Sequence, residues 1–219
     1  MKNKKLFILS LTFLAGVLAI VIYFIAFAGN VSKEGSIELY GTWLVYQYAE
    51  NKIDDEYMVF TENIASDYRG GSEDPYITSS YTYDGKSIDM KDISKSFIVS
   101  IKSNNCIVLI EPDTKEWKMI RVAEPGQDVL EMTTENLKGE YIVDRVAGEV
   151  RNNEVMTFTE TRLVDMREGG EFLSCAYNLV DKHLLRVDEL EKDYLVYMNG
   201  KTLMLIDATD RYVWELTKK

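Results

Sequence analysis

The side chains able to do chemistry are few and scattered. His183 is the only histidine, and its setting, Asp181-Lys182-His183-Leu184, reads as a solvated hairpin turn. The two cysteines, Cys106 and Cys175, lie far apart in the chain. With no second histidine and no cysteine near the first, neither a Ser-His-Asp arrangement nor a histidine-based metal site can be assembled. The remaining candidates are carboxylates, in Asp54-Asp55-Glu56 and Glu111-Pro112-Asp113. Paired carboxylates can do acid-base work or bind calcium, but neither run has the regular oxygen spacing of a calcium loop, so both read as solvated turns. The expectation is a protein with no catalytic residue, no metal and no cofactor, hence not an enzyme. The cysteines are either bridged, which an oxidising compartment would permit, or buried as small apolar side chains.

The chain has 219 residues, 46% hydrophobic and 28% charged, with a formal net charge of -11. Those proportions exclude a disordered chain, a collagen-like fibre and a polytopic membrane protein. The acidic balance argues against a nucleic-acid partner, because phosphate is gripped by clustered Lys and Arg. The one basic cluster, Lys2, Lys4 and Lys5, precedes an apolar run from Leu6 to Ala28 in which only Ser10 and Thr12 are polar. As a helix, that run would reach about 34 Å, enough to cross a bilayer. The positive-inside rule then places the amino terminus in the cytoplasm and the region from about residue 30 outside. Residues 1–29 are thus expected to be a signal anchor in the cell membrane, with 6–28 as the membrane partner. A cleaved signal peptide is the alternative, since Ala26-Phe27-Ala28 before Gly29 has the small-x-small form of a cleavage site.

Beyond the anchor the sequence repeats itself. Met58-Val59-Phe60-Thr61-Glu62 recurs as Met156-Thr157-Phe158-Thr159-Glu160, and Asp67-Tyr68-Arg69 as Asp165-Met166-Arg167. Tyr81 answers to Tyr177, Leu109-Ile110 to Leu205-Ile206 and Trp117 to Trp214, at separations of about 96 to 98 residues. The chain therefore divides into a first copy at 39–122, a linker at 123–136 and a second copy at 137–217. Each copy alternates apolar and polar residues in short segments rich in Val, Ile, Tyr, Phe and Thr, the pattern of strands. Asn199-Gly200, Asp84-Gly85 and Ser103-Asn104-Asn105 supply hairpin turns. The fold class expected is all-β: two tandem antiparallel eight-stranded barrels behind one transmembrane helix, each closed up-and-down so that no sheet edge is left open.

Each copy resembles the small bacterial lipocalin-like domains. The resemblance rests on Gly41-Thr42-Trp43 at the first strand and Trp117-Lys118-Met119-Ile120-Arg121 at the last. It implies that Trp43 plugs one end of the first barrel with Arg121 packed across it, and that Trp117 and Trp214 belong to the same barrel-closing set. In the second copy Tyr141 replaces the tryptophan, and Lys218 stands where Arg121 does.

With no catalytic constellation the protein is expected to bind rather than react, and two occupants stay open. One, read from the short spacing between the copies, is a protein or envelope component, recognised through the barrel loops and an acidic-rimmed cleft between the copies. The other is a small apolar ligand within one barrel, the first copy by preference, where Tyr46, Tyr57, Phe60, Tyr81, Tyr83 and Phe97 are available either to line a cavity or, in a barrel this short, to fill the interior as core.

Overall fold

A computed structural model describes residues 37–219; the membrane-anchor expectation falls on residues 1–29 and lies outside them. Among the described residues no helix is long and apolar enough to cross a membrane.

The first eight strands are β1 (Gly41–Tyr48), β2 (Asn51–Phe60), β3 (Ile64–Arg69), β4 (Ile77–Tyr83), β5 (Ser87–Met90), β6 (Lys95–Ser103), β7 (Cys106–Ile110) and β8 (Glu116–Ala123). They pair in sequence order, and β8 returns to β1, closing an antiparallel barrel. Gly41 is required where that closure is tightest. Its φ is +122°, and a Cβ there would stand 2.6 Å from the Ala123 carbonyl oxygen.

A capped helical turn, α1 (Thr134–Leu137), leads into the second copy. Its strands are β9 (Gly139–Val146), β10 (Glu149–Val150), β11 (Glu154–Phe158), β12 (Arg162–Arg167), β13 (Gly170–Ala176), β14 (Asn178–Asp181), β15 (Leu184–Val187), β16 (Lys192–Asn199), β17 (Thr202–Asp207) and β18 (Val213–Lys218). Ten strands replace the expected eight, and the sheet runs from β13 round to β14 without a ladder between them. The extra strands come from two interruptions. β10 and β11 together occupy the place of β2, and β13 and β14 together occupy the place of β4, broken at Tyr177. In the first copy, β4 stays continuous through Tyr81, pairing β3 with its first half and β5 with its second. The second barrel is therefore nearly closed, along the same circuit.

Matched packing closes one end of each barrel. The Trp43 indole N–H donates to the Leu39 carbonyl at 2.7 Å, and the Tyr141 hydroxyl donates to the Leu137 carbonyl at 2.7 Å. Arg121 lies 4.8 Å from the Trp43 ring and Lys218 5.5 Å from the Tyr141 ring, cation-aromatic contacts in both copies. Beside them Phe60 meets Tyr81 edge-on at 5.4 Å, and Phe158 meets Tyr177 at 5.6 Å. Trp117 and Trp214 sit at the opposite end: strand register pairs Trp43 with Arg121 but Tyr48 with Trp117. There Trp117 packs on Phe97, and Trp214 on Tyr194.

The barrels are not separated by their linker but fused side by side. Leu44 and Tyr46 on β1 and Ile120 and Val122 on β8 form one apolar cluster with Leu195, Tyr197, Met204, Ile206 and Val213 of the second copy. The runs Trp43-Leu44-Val45-Tyr46 and Leu203-Met204-Leu205-Ile206 lack polar alternation for this reason: one set of side chains fills a barrel and the other fills the interface. Polar contacts frame the cluster. The Tyr57 and Tyr197 hydroxyls lie 3.2 Å apart, the Asn105 amide donates to Glu215 at 3.0 Å, and Arg211 donates to Asp54 at 2.6 Å.

Candidate functional site

Among the described residues, free space meets charged side chains in the half of the first barrel away from Trp43 and in the cleft between the barrels.

In the first, the two-residue period of β2 turns Glu56, Met58 and Phe60 inward, and that of β3 turns Ala65 and Asp67 inward. The register pairs Glu56 with Arg69 and Met58 with Asp67, so both acids meet one guanidinium. Arg69 donates to Asp67 at 2.7 and 2.9 Å and reaches Glu56 at 3.3 Å, while its face lies over the Tyr76 ring at 4.5 Å. Burial, reinforced by the charge of Asp67, pushes the Glu56 carboxyl up to about 7, with Arg69 opposing. Burial also raises Asp67. One oxygen of each carboxylate, Glu56 Oε1 and Asp67 Oδ1, has no hydrogen-bond partner. The expectation that Asp54-Asp55-Glu56 is a solvated turn is corrected here: the run lies on β2, and Glu56 is in the barrel wall.

The same network recurs in the second copy. Arg167 donates to Asp165 at 2.8 and 3.0 Å, reaches Glu154 at 3.2 Å and lies 3.7 Å from the Phe172 ring. Burial raises both of those acids too. The repeated Asp-x-Arg carried this signal in the sequence. The matching Glu56 and Glu154 were hidden because the residues around them differ.

Beside the first network the barrel holds a void of about 140 Å³. Met58, Ala65, Met90, Phe97 and Leu109 give it an apolar wall, with Asp67, Arg69 and Lys95 as its charged members. Lys95 is held by Glu111 at 3.1 Å, and Glu111 also accepts the Trp117 indole N–H at 2.8 Å. Of the six aromatics considered for a ligand, only Phe97 lines this void. Phe60, Tyr81 and Tyr83 lie toward the plugged end. Tyr46 and Tyr57 point outward and pack at the interface between the barrels, because they occupy the alternate positions of β1 and β2.

The second place is a cleft of about 380 Å³. The outer face of β6 to β8 forms one side, through Ser100, Lys102, Val108, Ile110, Glu116 and Lys118. The turns bearing Ala147-Gly148 and Arg211-Tyr212 form the other. Its lining is not acidic as expected: Lys102, Lys118 and Arg211 outnumber Glu116. Tyr46 and Cys106 form its base; burial raises the tyrosine and pushes the Cys106 thiol up to about 12. A thiol so disfavoured as thiolate is not a nucleophile at neutral pH.

Both cysteines are free, and Cys175 is buried in the second barrel. His183 stands in its turn but is half-buried, stacked on Tyr197 at 4.4 Å, and burial lowers its proton affinity. Among the described residues no group of three or more His, Cys, Asp and Glu side chains is placed to hold a metal ion. Comparison with known proteins yields no matching family model, no matching curated protein and no matching solved structure.

Proposed function

We propose that the chain is a non-catalytic binding protein whose recognition surface is the cleft between its two barrels. Residues 6–28 hold it in the cell membrane, with the barrels on the extracytoplasmic side. The single observation carrying this reading is the fusion of the barrels through a shared apolar cluster, which fixes the walls of a cleft of about 380 Å³, a size suited to a small ligand or a partner's side chain. Lipocalin-like ancestry for each copy rests on the Gly41-Thr42-Trp43 and Trp117-to-Arg121 resemblance and is part of the same proposal.

Tyr212, 54% exposed at the cleft edge, is the position for a test. A photo-crosslinking amino acid placed there in the full chain should capture the same partner or ligand repeatedly from intact cells. Labelling no different from that at exposed Val180, on the second barrel, would sink the reading.

A second reading has its own observation, the void of about 140 Å³ in the first barrel. Its volume suits a ligand of about the size of benzene rather than a fatty acid. Thermal shift with small aromatic compounds should raise the melting temperature, and Ala65→Leu, which fills the void, should abolish that shift.

A further inference from the structure

Arg211 is buried in a way the rest of the fold does not account for. Its side chain is 5% exposed, and only Nη2 is engaged, by Asp54. Nε and Nη1 have no hydrogen-bond partner. A buried guanidinium with unmet donors is costly, and native structures ordinarily satisfy such groups with protein, water or a bound ion. The position is also held firmly. The backbone of Arg211 is left-handed, with φ of +59°, and its N–H donates to the Asp207 carbonyl at 2.9 Å. Asp207 in turn accepts from the backbone N–H groups of Thr209 and Asp210 and is paired with Lys192, so the turn is braced at each residue before Arg211.

Arg211 is one of the residues that line the inter-barrel cleft. Asp54 balances Arg211, and Glu116 balances one of Lys102 and Lys118, which leaves the site one positive charge in excess. Val108, Ile110, Tyr212 and Val213 supply an apolar wall for whatever accompanies the anion. A doubly charged phosphate would over-neutralise this site, and its remaining oxygens would face the apolar wall. A carboxylate on an apolar stem matches both the charge and the lining.

From these observations we infer that the inter-barrel cleft binds a carboxylate-bearing ligand, with Arg211 as its anion-recognising residue and the Val108-Ile110-Tyr212 wall taking its apolar part. The carboxylate is that of a small organic acid or of a peptide C-terminus, two sources of one chemistry. The inference rests on the cleft being the recognition surface, but its test does not pass through Tyr212 crosslinking, so the two fail separately.

The test is calorimetric titration of the detergent-solubilised full chain with hexanoate, acetate and inorganic phosphate. Hexanoate should bind more tightly than acetate or phosphate. Arg211→Met should weaken hexanoate binding by about tenfold or more, the loss expected for one charge-assisted hydrogen bond. Asp54→Asn removes the competing carboxylate while leaving the guanidinium in place, and should tighten hexanoate about threefold or more. Arg162→Met, which removes a cation outside the cleft, should change neither. A short acetylated peptide with a free carboxylate, compared with its amide, assigns the source. No measurable hexanoate binding, equal binding by Arg211→Met in a folded protein, no gain in Asp54→Asn, or phosphate binding more tightly than hexanoate would each overturn the inference.

Discussion

At the scale of single residues, the buried acids define a pH response. Glu56 sits near 7 in the folded barrel against an ordinary value of 4.5. Folding therefore favours its protonated form, and the associated stability is fully present below about 4.5 and is lost as pH rises through about 7. The wild-type chain should lose on the order of 2 kcal/mol across that window through this residue, and Glu56→Gln should flatten the loss. Denaturant unfolding at pH 5 and pH 8 measures it; an unchanged slope in Glu56→Gln would refute it. Little of this was legible in the sequence. Asp54-Asp55-Glu56 looks like a charged turn because three acids adjoin, yet the run lies on β2 where its pairing with β1 shifts register between Lys52 and Glu56, and Asp54 reaches Arg211 across the interface while Glu56 enters the barrel. Arg211 gave no signal at all, since its meaning depends on contact between a turn residue and a strand residue 157 positions apart in the chain.

At the scale of elements, turn chemistry was the readable part. Asp84-Gly85 and Asn199-Gly200 both stand at hairpins, and both glycines have positive φ. The breaks in the second barrel were not readable, because Tyr177 has the same strand-forming character as Tyr81. The amide of Tyr177 still donates to Thr161 at 3.2 Å, matching Tyr81 to Asn63 at 2.9 Å, but Tyr177 has no ladder partner on β15, whereas Tyr81 pairs with Met90 on β5. Hydrogen exchange should accordingly be faster across residues 176–179 than across 80–83, and equal protection would argue that the interruption is closed in solution. Gly41 offers a sharper test of closure. Gly41→Ala meets both an unfavourable φ and the Ala123 carbonyl, and should cost about 2 kcal/mol or more of stability. Gly170→Ala, whose added carbon meets nothing nearer than 3.7 Å, should cost less than about 0.5 kcal/mol.

At the scale of the whole molecule, the shared apolar cluster predicts that the two barrels unfold as one. A single calorimetric transition is expected for the wild-type chain. Met204→Lys puts a charge in the fully buried interface without touching the interior of either barrel, and should separate the unfolding into two transitions. Two transitions already in the wild type would show that the interface does not couple them. The sequence announced two copies but not their fusion, although the unbroken apolar runs at Trp43 to Tyr46 and Leu203 to Ile206 were the trace it left.

The interface joins unlike faces of like units: the β1–β8 side of one copy against the β16–β17 side of the other. Contacts of that kind have no symmetry that closes them, and a third or fourth copy could in principle add to either end. The outer ends are altered against it. Leu44, Tyr46, Ile120 and Val122 have as their second-copy counterparts Ile142, Asp144, Thr217 and Lys219, with Asp144 and Thr217 hydrogen-bonded to each other at 2.7 Å. Tyr197 has as its first-copy counterpart Ser100. The polar residues Asp144, Thr217 and Lys219 work as the outer face of a terminal repeat does, making that side of the second barrel a poor apolar partner for a further copy.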